Sequence, residues 1–306
     1  MSEPATRRID ATLLAAFWMA GAIVSFCLMA VAARELSRTM SPFQVLFLRS
    51  LFGALFIGLV VVRRDPTVLR SAQPVLQAVR HTIHFIGQIL WIIAISALPL
   101  ALVFSVEFTS PVWGALTAIL LLGEKLTRWR VIAMLAGLSG VLVIVRPGLT
   151  AVEPMILAIV LAAVCFGIIN AMTKKLVATD RPWGILFWMC TGQALLCLPF
   201  TVPLWIAPTT ADLPWITGVA VTGLTAHYCL TRALSLADAV VVLPMEFARL
   251  PLIATIGLLV YGEQLDPWIF VGASVIFAGI WINVRAEAQG AAQRRGTSLN
   301  GGGRSG

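Results

Sequence analysis

Residues 97–146 recur in altered form as residues 233–285. At a fixed offset of 139, Glu107-Phe108 falls on Glu246-Phe247, Gly123-Glu124 on Gly262-Glu263, Leu126 on Leu265, Trp129 on Trp268, Gly140 on Gly279 and Val145-Arg146 on Val284-Arg285. Further upstream an offset of 140 aligns Phe26 with Phe166, Leu36 with Leu176, Pro42 with Pro182 and Leu46-Phe47 with Leu186-Phe187. A chain duplicated over nearly its whole length packs two copies of one pattern against each other, and a site that uses both lies where the copies meet.

Where such a chain can live follows from its side chains. With 59% hydrophobic and 12% charged residues and a mean hydropathy of +0.93, it cannot cover a water-soluble globule of 306 residues with polar surface. The net charge of +8 does not point to nucleic acid, because the basic residues flank apolar runs and no RNA- or DNA-binding motif accompanies them. The five cysteines, Cys27, Cys165, Cys190, Cys197 and Cys229, fall inside apolar runs without a CxxC pair or a metal-ligand spacing, and read as small buried apolar side chains.

Ten runs approach the roughly 20 apolar residues that a helix needs to cross a bilayer. They lie near 11–33, 43–62, 75–97, 100–122, 129–146, 153–173, 183–205, 213–235, 239–261 and 267–285. Their unbroken apolarity favours helices over the alternating strands of a barrel. The first run, with Arg7-Arg8 before it, imitates a signal peptide, but its counterpart at 153–173 sits mid-chain, so it reads as a retained span. With the N-terminus cytoplasmic, Arg63, Arg64, Arg70, Arg80, Lys125, Arg128, Arg130, Lys174, Lys175 and Arg181 fall inside, and only Arg34, Arg38 and Arg146 fall outside. Both termini are then cytoplasmic. Five spans per copy is an odd number, so the copies enter the membrane from opposite sides. The expected fold is an all-α membrane protein with ten transmembrane helices in two inverted five-helix repeats, 11–146 and 153–285. A short N-terminus (1–10) precedes them and a Gly-rich, disordered tail (286–306) follows.

The two halves, the short loops and a Gly-Glu near the last span of each half resemble the drug/metabolite transporter superfamily, and within it the EamA group. The marks are Gly123-Glu124-Lys125-Leu126 with Trp129, Gly262-Glu263-Gln264-Leu265 with Trp268, and Ser41-Pro42 leading to Arg49. The resemblance covers residues 11–285. It implies a central cavity and transport of a small metabolite such as an amino acid, a vitamin or a nucleoside-like compound, across a bacterial inner membrane. Arg49 has no basic counterpart in the second copy, where Met189 stands.

Ionisable side chains at membrane depth are costly and normally face a cavity or a partner. Arg49 and Glu107 fall at similar depth below the outer face and can pair, as a lock between spans or as a substrate contact. Glu246, Arg249, His227 and His84 share a level toward the cytoplasmic side. Arg249 follows Glu246 by three residues on one helical face, so the two can form a satisfied pair. An acid, a base and imidazoles suit a polar or zwitterionic substrate, and Glu246 or His227 can exchange a proton. Pro111 and Pro251 remove the backbone bonds to the carbonyls of Glu107 and Phe247, which makes them, with Pro244, candidate hinges. Trp18, Trp91, Trp113 and Tyr228 are candidate cavity walls, whereas Trp129, Trp183, Trp215 and Trp268 read as interfacial anchors. Glu124 and Glu263 follow helix-ending glycines and read as structural marks, with a gating role as the alternative. His81 and His84 stand one turn apart without a third ligand, so neither a metal nor another cofactor is expected.

The favoured function is a secondary, ATP-independent carrier working by alternating access, with lipid and a small-molecule substrate as its partners. The chain has no GxxxxGK[ST] phosphate loop. The alternatives are an intramembrane enzyme, for which HExxH and GxSxG motifs are missing, and a scaffold that does not transport.

Overall fold

In a computed structural model, residues 5–122, 127–146, 154–176, 179–236 and 245–301 are described, and among them the secondary structure is entirely helical. The helices are α1 (Ala5–Leu36), α2 (Pro42–Ile57), α3 (Pro74–Ala97), α4 (Leu100–Glu107), α5 (Ser110–Leu122), α6 (Arg128–Val145), α7 (Met155–Leu176), α8 (Pro182–Thr201), α9 (Leu213–Leu236), α10 (Arg249–Tyr261) and α11 (Pro267–Gly301). By length and composition, 5 segments can cross a membrane: Leu13–Leu36, Pro42–Val62, Pro74–Ala97, Met155–Thr173 and Pro182–Leu204. Leu100–Gly114, Val131–Val145 and Pro267–Ile282 are shorter apolar helices. The surface carries exposed Phe17, Phe52, Leu55, Leu135, Leu142, Leu157, Leu195 and Leu259, whereas Arg49, Arg80, His84, Gln88, Gln193 and Arg249 lie buried inside. An apolar exterior around a polar interior is the arrangement lipid selects.

The starts and stops of these helices follow local chemistry. Pro42, Pro74, Pro182 and Pro267 open their helices, where a missing N–H costs nothing. The Ser41 hydroxyl accepts the Gln44 amide at 3.2 Å, and Asp266 accepts the Trp268 amide at 3.0 Å. Gly262, at φ 65°, ends α10 in the left-handed region that glycine enters without strain. Past Ile57, α2 widens into a π turn over Gly58–Val62.

Two expectations change here. The span expected at 100–122 is broken: α4 stops at Glu107, Phe108 and Thr109 turn, and α5 begins at Ser110. Pro111 cannot donate to the Glu107 carbonyl, so the α-helical ladder cannot run through. In the second copy Glu246–Ala248 form a 3-10 turn leading into α10, and there Pro251 withholds its bond from Phe247. The second change is at the end of the chain, where α11 runs on as helix to Gly301 and does not give way to a disordered tail at residue 286. The sequence Ala286-Glu287-Ala288-Gln289, followed by Ala291, Ala292, Gln293 and Arg294, consists largely of strong helix formers.

The dominant packing pairs join the two halves: α1 with α9, α6 with α11, α3 with α7, α2 with α8 and α5 with α7, while α4 packs on α10. The α6 and α11 backbones approach through glycine. A Cβ on Gly140 would stand 2.7 Å from the Gly272 carbonyl, and one on Gly272 would stand 2.5 Å from the Gly140 carbonyl. In lipid, where apolar burial does not drive association, such close contact holds helices together. Gly272→Ala is therefore expected to destabilise the protein by about 1–3 kcal/mol, as overpacking does. Gly218→Ala, whose Cβ would meet only the Ala32 methyl at 3.5 Å, should be neutral in the same thermal-unfolding assay.

At one end of the bundle, the loop before α8 clasps the start of α3. Asp180 accepts from the Ser71 hydroxyl, from the Ala72 amide at 3.0 Å and from Gln77 at 3.0 Å. Burial raises the pKa of Asp180, but these donors and Thr179 outweigh it and leave the carboxyl below the usual range. Nearby, Arg181 pairs with Asp65. At the opposite end Arg146 pairs with Asp266, and Arg34 with Glu263.

Candidate functional site

Helix α3 carries Gln77, Arg80, His84, Gln88 and Trp91 at spacings of three and four, so all five lie on one face, and all are buried. Each meets a different neighbour. Arg80 Nε donates to the Thr173 hydroxyl at 2.7 Å, and His84 Nδ1 accepts from the Gln193 amide nitrogen at 3.1 Å. Gln193 in turn accepts from the Ser50 hydroxyl at 3.2 Å. Arg49 donates to Gln88 at 2.6 Å, and Trp91 donates its indole N–H to Glu107 Oε2 at 2.8 Å. This stripe does not show when ionisable groups are taken one by one, since Arg80 then counts as a loop charge. Arg80 is 6% exposed, in the second turn of α3. The three-and-four spacing of polar residues in 77–91 is the signal that could have found it.

The second cluster forms where the two broken segments meet. Arg249 Nη2 lies 3.2 Å from Glu107 Oε1, with side chains only 6% and 14% exposed. Rings surround the guanidinium: Phe26 at 4.9 Å, Phe104 at 4.9 Å and Phe108 at 5.2 Å. Phe108 stacks on Phe247 at 4.5 Å. Glu107-Phe108 and Glu246-Phe247, the matching pairs of the two copies, thus come together. Two expected pairings are overturned. Arg49 meets Gln88 and not Glu107, and Arg249 reaches across to Glu107 and not back to Glu246, which stands half-buried in the 3-10 turn. Depth counted along single helices put Glu107 and Arg249 in opposite halves of the membrane. Packing α4 against α10 brings their interrupted ends face to face.

Phe26 links the two clusters, since it also lies edge-on to His227 at 5.4 Å, and His227 faces His84 at 6.4 Å. The candidate aromatic walls divide. Trp91 belongs to the Glu107 site, and Trp113 turns to Thr109 of its own segment at 3.3 Å. Trp18 and Tyr228 pack edge-on at 5.8 Å, away from the Glu107–Arg249 pair, and Tyr228 stacks on Trp183 at 5.2 Å. Trp183 is thereby a packing partner, not simply the interfacial anchor expected of it. Pro111 and Pro251 flank the two breaks, while Pro244 and Glu124 lie outside the described residues.

Above the site, Glu263 does more than mark a helix end. One carboxylate oxygen meets Arg34 and the other accepts the Leu100 amide at 2.9 Å, which caps the first turn of α4 from the opposite half. The side chain folds back over Gly257, where any Cβ would collide with it. The Tyr261 ring lies 4.3 Å under the Arg34 guanidinium.

A helical bundle with an apolar exterior, two interrupted helices and a buried ion pair at their junction defines a multi-pass membrane protein built around a polar centre. The family model for the EamA-like transporter family matches the chain twice, over residues 13–146 and 153–285. The chain belongs to that family. It is a membrane transporter of small metabolites and not an enzyme. The S-adenosylmethionine uptake transporter of Rickettsia prowazekii is 23% identical over 270 residues, covering 88% of this chain and 92% of that one. The riboflavin transporter of Rhizobium johnstonii is 27% identical over 283 residues, covering 90% and 92%. A solved crystal structure at 18% identity shares the fold with a TM-score of 0.58, covering 89% of this chain and 96% of its own.

Proposed function

We propose that the chain is a secondary carrier whose two five-helix halves, 11–146 and 153–285, are inverted repeats of a ten-span fold. Their exchange would open a central site to each side of the inner membrane in turn. The packing pairs support this reading: exchanging the halves converts α1·α9 into α7·α3 and returns α2·α8 and α6·α11 to themselves. By the bias of basic residues both termini lie in the cytoplasm, which puts the Arg34–Glu263 end outside.

The substrate is a small polar or zwitterionic metabolite with a flat ring. The observation that carries this is the Glu107–Arg249 pair inside Phe26, Phe104 and Phe108, which offers an acid, a base and ring faces within one site. S-adenosylmethionine and riboflavin, named for the relatives, both present a planar heterocycle and are the first compounds to try. Pro111 and Pro251 let the interrupted segments bend, and Glu246, free of Arg249's ion pair, is placed to exchange a proton or to meet a substrate amine.

The test is counterflow of each labelled compound into proteoliposomes of wild-type protein and of Glu246→Gln. Saturable uptake by wild type that falls at least tenfold in the variant, at equal insertion, is expected. Absence of uptake for a broad panel of ring-bearing metabolites would refute the reading, and full activity in Glu246→Gln would remove Glu246 from the site.

A further inference from the structure

Three buried arginines line the interior, but among the described residues only one has a carboxylate. Arg249 is paired with Glu107. Arg49 and Arg80 are each 6% exposed, on neighbouring helices, and among the described residues their hydrogen-bond partners are neutral. Arg49 Nη1 meets Gln88 at 2.6 Å and the Met29 sulfur at 3.8 Å. Arg80 uses Nε on Thr173, and its Nη1 is buried without a hydrogen bond. Asp180, bound to Gln77 one turn along α3, already accepts from Ser71, Ala72 and Gln77. The two imidazoles lie between them: His84 stands one turn from Arg80 on α3, its ring is 6.4 Å from that of His227, and His227 lines a small cavity together with Arg49.

Space adjoins them. A small cavity between α2, α8 and α9 is lined by Arg49, Gly53, Cys190, Gly223 and His227 among others. Two guanidiniums out of water with no counter-charge are costly to hold, and their cost falls when an anion joins them. The planar N–H fork matches a carboxylate or a phosphate and fits a spherical ion less well.

We propose that Arg49 and Arg80 form an oxyanion subsite that receives the carboxylate or phosphate group of the transported molecule. The subsite rests on the carrier reading and gives the substrate a polarity. Its anionic group lies toward α2 and α3, and its ring and amine lie toward Glu107, Glu246 and the phenylalanines. Arg49, which has no basic counterpart in the second copy, then has an asymmetric role, as binding an asymmetric substrate requires.

The experiment is thermal unfolding of nanodisc-embedded protein in sodium phosphate or sodium acetate, against sodium chloride at equal ionic strength. Wild type should show a saturable rise of about 3 °C at ten times the half-saturating oxyanion concentration. The rise should vanish in Arg49→Gln and Arg80→Gln, weaken in Arg49→Lys and Arg80→Lys, and persist in Arg181→Gln, which alters a loop arginine. No saturable rise in wild type, or an undiminished rise in Arg80→Gln, overturns the subsite whether or not the glutamine variants fold well. Flux without any oxyanion effect on stability sinks the subsite and leaves the carrier standing. A saturable rise without flux does the reverse. Saturating phosphate should also inhibit flux, and a phosphate-stabilised protein that transports at full rate overturns the assignment to the substrate's anionic group.

Discussion

Arg249→Leu is expected to lower stability by about 3–5 kcal/mol, because it leaves the Glu107 carboxylate buried beside Trp91 with no cation opposite. The double variant Glu107→Leu/Arg249→Leu removes both charges and should recover most of that loss, since apolar side chains of similar size often replace a buried pair at little cost. Flux should be lost in both. This separates folding from transport: if the double variant folds and still transports, the pair is structural and the substrate is held elsewhere. Glu107→Gln should be about as damaging to flux as Glu246→Gln. Reading Glu107 as a partner of Arg49 would have made it the milder of the two.

The Glu263→Ala variant should expose the central site from the Arg34 side. Glu263 ties three elements together, as it follows the Gly262 end of α10, Arg34 on α1 pairs with it and the Leu100 amide of α4 donates to it. Alanine releases both contacts and leaves the first turn of α4 without its cap, at a cost of about 1 kcal/mol for the cap alone. In a cysteine-free background, Phe26→Cys next to Arg249 should label much faster with a membrane-impermeant maleimide in intact cells once Glu263 is alanine. Unchanged labelling would show that these contacts only brace the fold. Labelling that slows would show that they hold the outward-open form instead. Glu263→Gln keeps an acceptor for Leu100 but not the charge for Arg34, so it should fall between wild type and alanine.

Some of this was open to view from the residues alone and some was not. The repeat placed Glu107-Phe108 and Glu246-Phe247 in register, and Pro111 and Pro251 marked where each segment would break, because a proline cannot donate whatever surrounds it. The same local logic failed for ion pairs. Spacing along one helix offered Glu246 to Arg249, and depth offered Arg49 to Glu107, but the side chains chose partners on other helices, at distances that no single-chain count contains. Glu263 is the clearest case. Gly262 is legible as a helix end, yet nothing near it in the chain says that its neighbour will cap Leu100, 163 residues away.

The amino-acid sequence alone determined that this protein is helical, that it belongs in lipid, that one family pattern matches it twice, and where prolines open its helices. Those properties depend on composition and on chemistry within a few residues of each other. Tertiary structure decided which buried charge meets which: Arg249 with Glu107, Arg34 with Glu263, and, among the described residues, Arg49 and Arg80 with no acid. In a low-dielectric interior a charge takes its partner from whatever helix packing brings within a few ångströms, and that packing is a property of the whole bundle.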